Sequence, residues 1–139
     1  RGAHHEVVAL DALFDDGPES LAAVAARLDL SRGCAVVTEG LVGYFYRDTV
    51  VSLWRRVARV LARFSHGLYL SDINLANAAR GELAVEAFRR GLEVFARGRV
   101  HLHFASPEEL ESALRQAGFV DVSLHWPGEH LVRVIEAST

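Results

Sequence analysis

The chain has 139 residues, of which 50% are hydrophobic and 24% charged, with a formal net charge of -3. This composition is typical of a single globular domain over residues 1–139, and it excludes disordered, collagen-like and low-complexity chains. The negative charge gives no overall attraction to nucleic acid or anionic membranes. With one cysteine, Cys34, and no apolar run near the roughly 18 residues of a membrane span, we expect a cytoplasmic protein without disulfides.

The first half of the chain alternates between apolar runs and amphipathic helical patterns. Residues 6–10 predict a buried strand, and residues 18–28 predict an amphipathic helix that begins at a proline. The apolar run 34–38 predicts a strand buried on both faces of a parallel sheet. A helix with Asp48 as its N-cap follows, and its predicted buried face comprises Val50, Trp54, Val57 and Leu61.

The second half ends in a pattern of a different kind. Residues 67–73 predict a third strand and residues 77–96 a long helix, before a capping box at Ser106 to Glu109 begins a helix that Gly118 ends. Residues 119–126 and 130–137 predict two strands whose short connection requires an antiparallel pair. The sequence therefore predicts an α/β open sheet, mostly parallel, with a C-terminal antiparallel hairpin.

Three acidic residues lie at the end of a predicted strand or directly after one: Asp11, Glu39 and Asp72. Ligands of doubly wound sheets bind beyond the carboxyl ends of the parallel strands, where such side chains meet. Carboxylates there can accept hydrogen bonds from an adenine amino group, ribose hydroxyls or an ammonium group. The alternative for each acid is a structural role in solvating a loop or capping a helix.

Two segments around these acids resemble a known family. Residues 8–13 (VALDAL) and 38–45 (TEGLVGYF) are similar to the leucine carboxyl methyltransferase-like family of class I S-adenosylmethionine-dependent methyltransferases. Bacterial members are often described as O-methyltransferases linked to polyketide biosynthesis. Residues 106–119 (SPEELESALRQAGF) and the strand pair after them are similar to the closing element of class I methyltransferases in general. The resemblance implies a partial Rossmann-like fold.

The resemblance also implies a cofactor and a set of site residues. S-adenosylmethionine would contact Asp11 and the backbone of Ala12 with its adenine, and Glu39 and Gly40 with its methionine portion. Tyr44 would face a small-molecule acceptor, whose carboxylate or hydroxyl oxygen takes the methyl group. Because such a transfer mainly needs an aligned and desolvated approach, no residue is assigned a catalytic role.

The sequence departs from the class I pattern in two respects: it lacks the glycine-rich loop after the first strand and the acidic residue after the second strand that holds the ribose of the cofactor. It contains no Gly-x-Gly, whereas the family builds much of its cofactor site from a glycine-rich loop. The first interpretation is therefore the C-terminal portion of a methyltransferase, lacking the half that carries this loop. The alternative is a degenerate, non-catalytic interaction or dimerisation module, whose exposed sheet edge could pair with a copy of itself to form a homodimer.

Two further clusters have competing explanations. His101 and His103 lie on one face of an extended segment and could form a metal site with His125 or His130, but such pairs are mostly incidental, so no metal is expected. Four arginines could contact phosphates or could form a solvated helix face, and without an aromatic platform we expect no nucleic-acid partner. They are Arg55, Arg56, Arg59 and Arg63.

Overall fold

The fold is an open mixed β-sheet with helices packed on one of its faces. We describe it from a computed structural model that covers residues 5–75, 101–126 and 132–139. The strands are β1 (Gly33–Thr38), β2 (His66–Asn74), β3 (Asp121–His125) and β4 (Val132–Ser138). The helices are α1 (Leu21–Ala25), α2 (Arg47–Leu61) and α3 (Pro107–Ala117), with a 3₁₀ helix at Val42–Tyr44.

The strand order β1-β2-β4-β3 places the last strand inside the sheet. Strand β1 runs parallel to β2, with Gly33 opposite His66, and β4 runs antiparallel to both β2 and β3. The predicted α/β open sheet and its antiparallel C-terminal strand pair are therefore confirmed. Because β4 pairs on both sides, the described edges of the sheet are β1 and β3.

The core lies between the sheet and helices α2 and α3. The apolar face predicted for α2 is confirmed, since its four residues are at most 1% exposed. Leu110 and Leu114 of α3 are fully buried beside them, opposite Tyr69 of β2 and Ile135 of β4. The apolar residues that recur every three or four positions along each helix therefore pack on the alternate residues that line one face of the sheet.

A chain of buried hydrogen bonds links α2 to both parallel strands. The Trp54 indole donates to the Tyr69 hydroxyl at 3.2 Å, and the Tyr69 hydroxyl lies 2.8 Å from Thr38 Oγ1. Thr38 donates in turn to Ser71 Oγ, and Ser71 donates to the carbonyl of Asp72. Because each hydroxyl accepts one bond and donates the next, none of these polar groups is left unpaired.

The predicted strand at residues 6–10 is wrong. The segment belongs to no described strand, and Val7 is 85% exposed. Only an isolated bridge between Asp11 and Ser20 follows it. An apolar run becomes a strand only where a neighbour completes its hydrogen bonds, and no described strand lies beside this one. The helix predicted over residues 18–28 is shorter, at Leu21–Ala25, with the Ser20 side chain accepting from Ala23 N.

Two details of the β1–α2 unit also differ from the prediction. Strand β1 is not buried on both faces, because its residues alternate between exposed and half-buried, and Val37 is 65% exposed. No described helix covers the face on which Val37 lies. Helix α2 begins one residue before Asp48, with Tyr46 as its N-cap. Asp48 instead lies in the first turn, where its negative charge interacts favourably with the positive end of the helix dipole.

Helix α3 begins and ends as the sequence predicts. Ser106 Oγ accepts from Glu109 N, the Glu109 carboxylate accepts from Ala105 N at 2.8 Å, and Pro107 is the first helical residue. Gly118 ends the helix with φ of 116°, in the left-handed region that favours glycine.

The helix predicted at residues 77–96 and the start of the strand predicted at 130–137 lie outside the described residues. Across the described ranges, no helix has the length and apolarity that a membrane crossing requires.

Candidate functional site

A cleft opens at the edge of the sheet where β1 and β2 end. Its cavity has a volume of about 220 Å³. Because β4 is antiparallel, its first residue, Val132, reaches the same edge as the last residues of β2. The 3₁₀ helix and residues 101–103 complete the wall. Polar and aromatic groups on this wall come from Tyr44, Asp72, Asn74, His101 and His103.

The loop after β1 is fixed to β2 by one hydrogen bond. The backbone N–H of Gly40 donates to Asp72 Oδ1 at 2.7 Å, and Gly40 has a positive φ of 60°. The turn brings Val42 into the core, where it is 3% exposed, and leaves Tyr44 about half exposed beside the cavity. Asp72 thus connects the ends of the two parallel strands and is itself part of the cleft lining.

The segment that carries the two histidines is held in place by Phe104. This ring is fully buried and stacks on Trp54 with centroids 5.4 Å apart. Arg47 lies over the same ring at 4.6 Å and donates to the carbonyl of His103 at 2.9 Å. The backbone N–H of His101 donates to the carbonyl of Gly43 at 2.8 Å. The cleft wall at residues 101–103 is therefore attached to α2 and to the 3₁₀ helix.

The two histidines differ in their surroundings. His103 is half-buried, and its Nε2 lies 3.1 Å from the carbonyl of Val42, so Nε2 carries the proton and donates it. Burial lowers the pKa of His103, which favours the neutral ring. The His101 ring packs against Tyr46 at 4.6 Å and faces His103 at 6.0 Å. Neither ring nitrogen of His101 is hydrogen-bonded to a described residue.

The structure brings some of the predicted site residues together and separates others. Gly40 and Tyr44 line the cleft, and so does Asp72. Glu39 is exposed at the end of β1 and makes no hydrogen bond or ion pair with a described residue. Asp11 and Ala12 do not line this cleft. The roles assigned to these residues stay predictions.

Asp11 has a structural role of its own. Its Oδ1 accepts from the backbone N–H of Leu13 at 2.9 Å, and its own N–H donates to the carbonyl of Glu19 at 2.8 Å. The first of these bonds forms an Asx turn, the structural alternative that the sequence left open. The second oxygen of the half-buried carboxylate has no described partner and remains available to a ligand.

The sequence did not identify His101 and His103 as walls of this cleft. Their position depends on Phe104, which packs against Trp54, a residue 50 positions earlier in the chain. The available signal was the alternation of His101 and His103 with Leu102 and Phe104, which is typical of an extended segment with one buried face. That pattern does not reveal which partner the opposite face meets.

The structure gives acidic partners to His125 and to two of the four arginines, Arg56 and Arg59. His125 lies 2.8 Å from Glu136, and the described part of the chain assembles no group of three metal-binding side chains. His130 lies outside the described residues. Arg56 makes two hydrogen bonds to Asp15, and Arg59 lies 3.8 Å from the same carboxylate. The hydrogen bond from Arg56 lowers the pKa of Asp15, as expected of a charged surface pair.

The fold is similar to that of solved methyltransferase structures. An O-methyltransferase family protein from Burkholderia thailandensis aligns with a TM-score of 0.54 and 17% identity, over 81% of this chain and 32% of that chain. Human N-acetylserotonin methyltransferase, solved with SAM (S-adenosylmethionine), aligns at 0.52 and 16%, over 74% and 28%. A protein described as a possible exported protein from Bordetella parapertussis aligns at 0.56 and 19%, over 82% and 41%.

These comparisons support a similarity of fold and nothing more specific. No protein-family model matches the chain, and no curated protein matches it. The chain spans less than half the length of each of the three solved structures. The described residues therefore have a methyltransferase-like α/β fold.

Proposed function

We propose that this chain forms the acceptor side of an S-adenosylmethionine-dependent O-methyltransferase of the leucine carboxyl methyltransferase-like kind. The observation that carries the proposal is the cleft at the carboxyl ends of β1 and β2, in a fold similar to that of methyltransferases. The resemblance of residues 38–45 to the family segment supports the same assignment. The complete enzyme would act on a small molecule in the cytoplasm, and a role in polyketide biosynthesis follows from the family resemblance.

The residues at this edge fit the methionine end of the cofactor. The Glu39 carboxylate, which has no partner among the described residues, and the second oxygen of Asp72 can both accept hydrogen bonds from an ammonium group. Asp11 retains one carboxylate oxygen for the adenine amino group. When bound, S-adenosylmethionine supplies a methyl group on a positively charged sulfur. Glu39, Gly40 and Asp72 would hold its amino-acid end beside the cleft.

The residues of the chain itself would position the acceptor. Apolar contacts from Val42, Ile73 and Val132 exclude water from part of the cavity, while Tyr44 borders its mouth. Methyl transfer to oxygen depends mainly on this alignment and desolvation. The cleft therefore provides orientation, and the hydrogen bond from Gly40 to Asp72 keeps the two strand ends in register.

Calorimetric titration with S-adenosylhomocysteine, the reaction product, tests the cofactor assignment. We expect saturable binding to the chain and about tenfold weaker binding to Glu39→Gln, which loses one charge-assisted hydrogen bond. Asp121→Asn is the control, because this exposed acid begins β3 at the end of the sheet opposite to the cleft. Absence of heat from a folded chain, or equal affinity of the Glu39 variant, would contradict the assignment.

A second candidate is a non-catalytic module that forms a homodimer. The observation that favours it is strand β1, which is a sheet edge among the described strands and exposes Val37 beside that edge. Unpaired backbone groups on such a strand can pair with another copy. The two candidates differ in cofactor binding, which only the methyltransferase requires.

A further inference from the structure

The cleft presents aromatic rings that the core does not use. Tyr44 lines the cavity and is 48% exposed, and His101, another lining residue, packs with its ring against Tyr46 behind it. Large rings left in water beside an apolar cavity favour a planar ligand that covers them. The cavity, about 220 Å³, is smaller than the roughly 300 Å³ at which pockets for drug-sized ligands begin, so one or two rings would fill it.

The charge around the cavity favours a neutral ligand. The described lining includes no arginine, the chain contains no lysine, and Asp72 contributes a carboxylate. Arg47 is engaged with the His103 carbonyl, with Glu109 and with the face of Phe104. A carboxylate ligand would therefore meet a like charge and no described cation free to pair with it.

One imidazole on the wall is ready to accept a hydrogen bond. The backbone bond to Gly43 and the contacts with Tyr46 and His103 hold the His101 ring at the cavity. Its two ring nitrogens make no hydrogen bond within the described residues, so a neutral His101 offers one lone pair to a ligand hydroxyl. The Nε2 of His103, by contrast, is already bonded to Val42.

We propose that the acceptor is a neutral aromatic compound with a free hydroxyl group, whose ring lies against Tyr44 and whose hydroxyl donates to His101. This inference rests on the proposed function, and it selects the hydroxyl over the carboxylate as the methyl acceptor. His101 would contact the substrate directly, orient the hydroxyl and take its proton as the oxygen gains the methyl group, while the S–CH3 bond breaks and the sulfur is left as a neutral thioether.

Three naphthalene probes that differ in one group test the proposal by direct binding, followed through probe fluorescence. We expect 2-naphthol to bind more tightly than 2-methoxynaphthalene, which cannot donate a hydrogen bond, and more tightly than the anionic 2-naphthoate. Equal affinities, or preference for 2-naphthoate, would overturn the proposal. Because no cofactor is needed, this result is independent of the titration with S-adenosylhomocysteine.

Two variants locate the hydrogen bond and the charge. His101→Phe keeps a ring but no nitrogen, and we expect it to weaken 2-naphthol binding about two- to tenfold without changing 2-methoxynaphthalene binding. Asp72→Asn keeps an oxygen for Gly40 N–H, and we expect it to strengthen 2-naphthoate binding about threefold to tenfold. Equal weakening of both neutral probes by His101→Phe would overturn the role of His101, and unchanged 2-naphthoate binding in Asp72→Asn would overturn the role of charge.

Discussion

The hydroxyl of Tyr69 is the central group of the buried hydrogen-bond chain. It accepts from Trp54 and lies within bonding distance of Thr38, and the residue is fully buried. Tyr69→Phe would leave the indole N–H without its acceptor, because no water reaches this position. We expect the free energy of unfolding to fall by about 1–3 kcal/mol, measured by urea denaturation.

Tyr44→Phe is the matched control for Tyr69→Phe. It removes the same hydroxyl from a side chain that is half exposed. Its unfolding free energy should stay close to that of the unaltered chain, because solvent satisfies the exposed group. Equal losses from the two variants would show that the buried chain adds nothing to stability.

Burial of His103 should make the stability of the fold decrease toward acid pH. Burial lowers the pKa of its imidazole below the ordinary value of about 6.5. As pH falls from about 6.5 toward that lowered pKa, the unfolded chain binds a proton that the folded chain does not, so stability falls. We expect His103→Gln, which keeps an N–H for Val42, to show a weaker fall in unfolding free energy over this window. The same slope in both proteins would contradict the assignment.

Among the elements, α3 depends on the cap that begins it. Ser106 Oγ accepts from Glu109 N, while the Glu109 carboxylate accepts from Ala105 N and pairs with Arg47 of α2. Removing the cap in Ser106→Ala should lower the unfolding free energy by about 1 kcal/mol, measured by urea denaturation. Ser112→Ala is the control, because this exposed serine lies within the same helix and should cost little.

Local signals explain why some elements could be predicted and others not. The capping box and Gly118 determine both ends of α3 from adjacent residues, so the sequence was sufficient there. Residues 6–10 have a similar strand composition to β1, yet only β1 has β2 beside it. Whether an apolar run pairs, and whether one or both of its faces are covered, depends on distant segments that composition does not specify.

The candidate site shows the same division between local and distant information. The position of the cleft followed from the rule that ligands bind at the carboxyl ends of parallel strands, and Asp72 and Gly40 do lie there. The contribution of His101 depends on the long-range stacking of Phe104 on Trp54, which no local pattern specifies. The charge around the cleft also depends on Arg47, whose contacts with the His103 carbonyl and with Glu109 span more than 50 residues of the chain.

At the scale of the whole molecule, the uncovered edge of the sheet predicts self-association. Strand β1 has one described partner, β2, and Val37 is 65% exposed on the face that no described helix covers. An exposed edge with an apolar side chain favours pairing with a second copy, and a charge beside it opposes pairing. We therefore expect light scattering to show a mass that rises with concentration for the chain, and a monomer for Val37→Lys at the same concentrations.

The control for this experiment is Val7→Lys, which makes the same change at an 85% exposed position outside the sheet. It should associate as the unaltered chain does, because the added charge lies away from the β1 edge. A chain that stays monomeric at every concentration would contradict the homodimer. Equal suppression by both variants would mean that net charge, rather than this edge, controls association. Association specific to Val37 would identify β1 as the surface that a second copy covers.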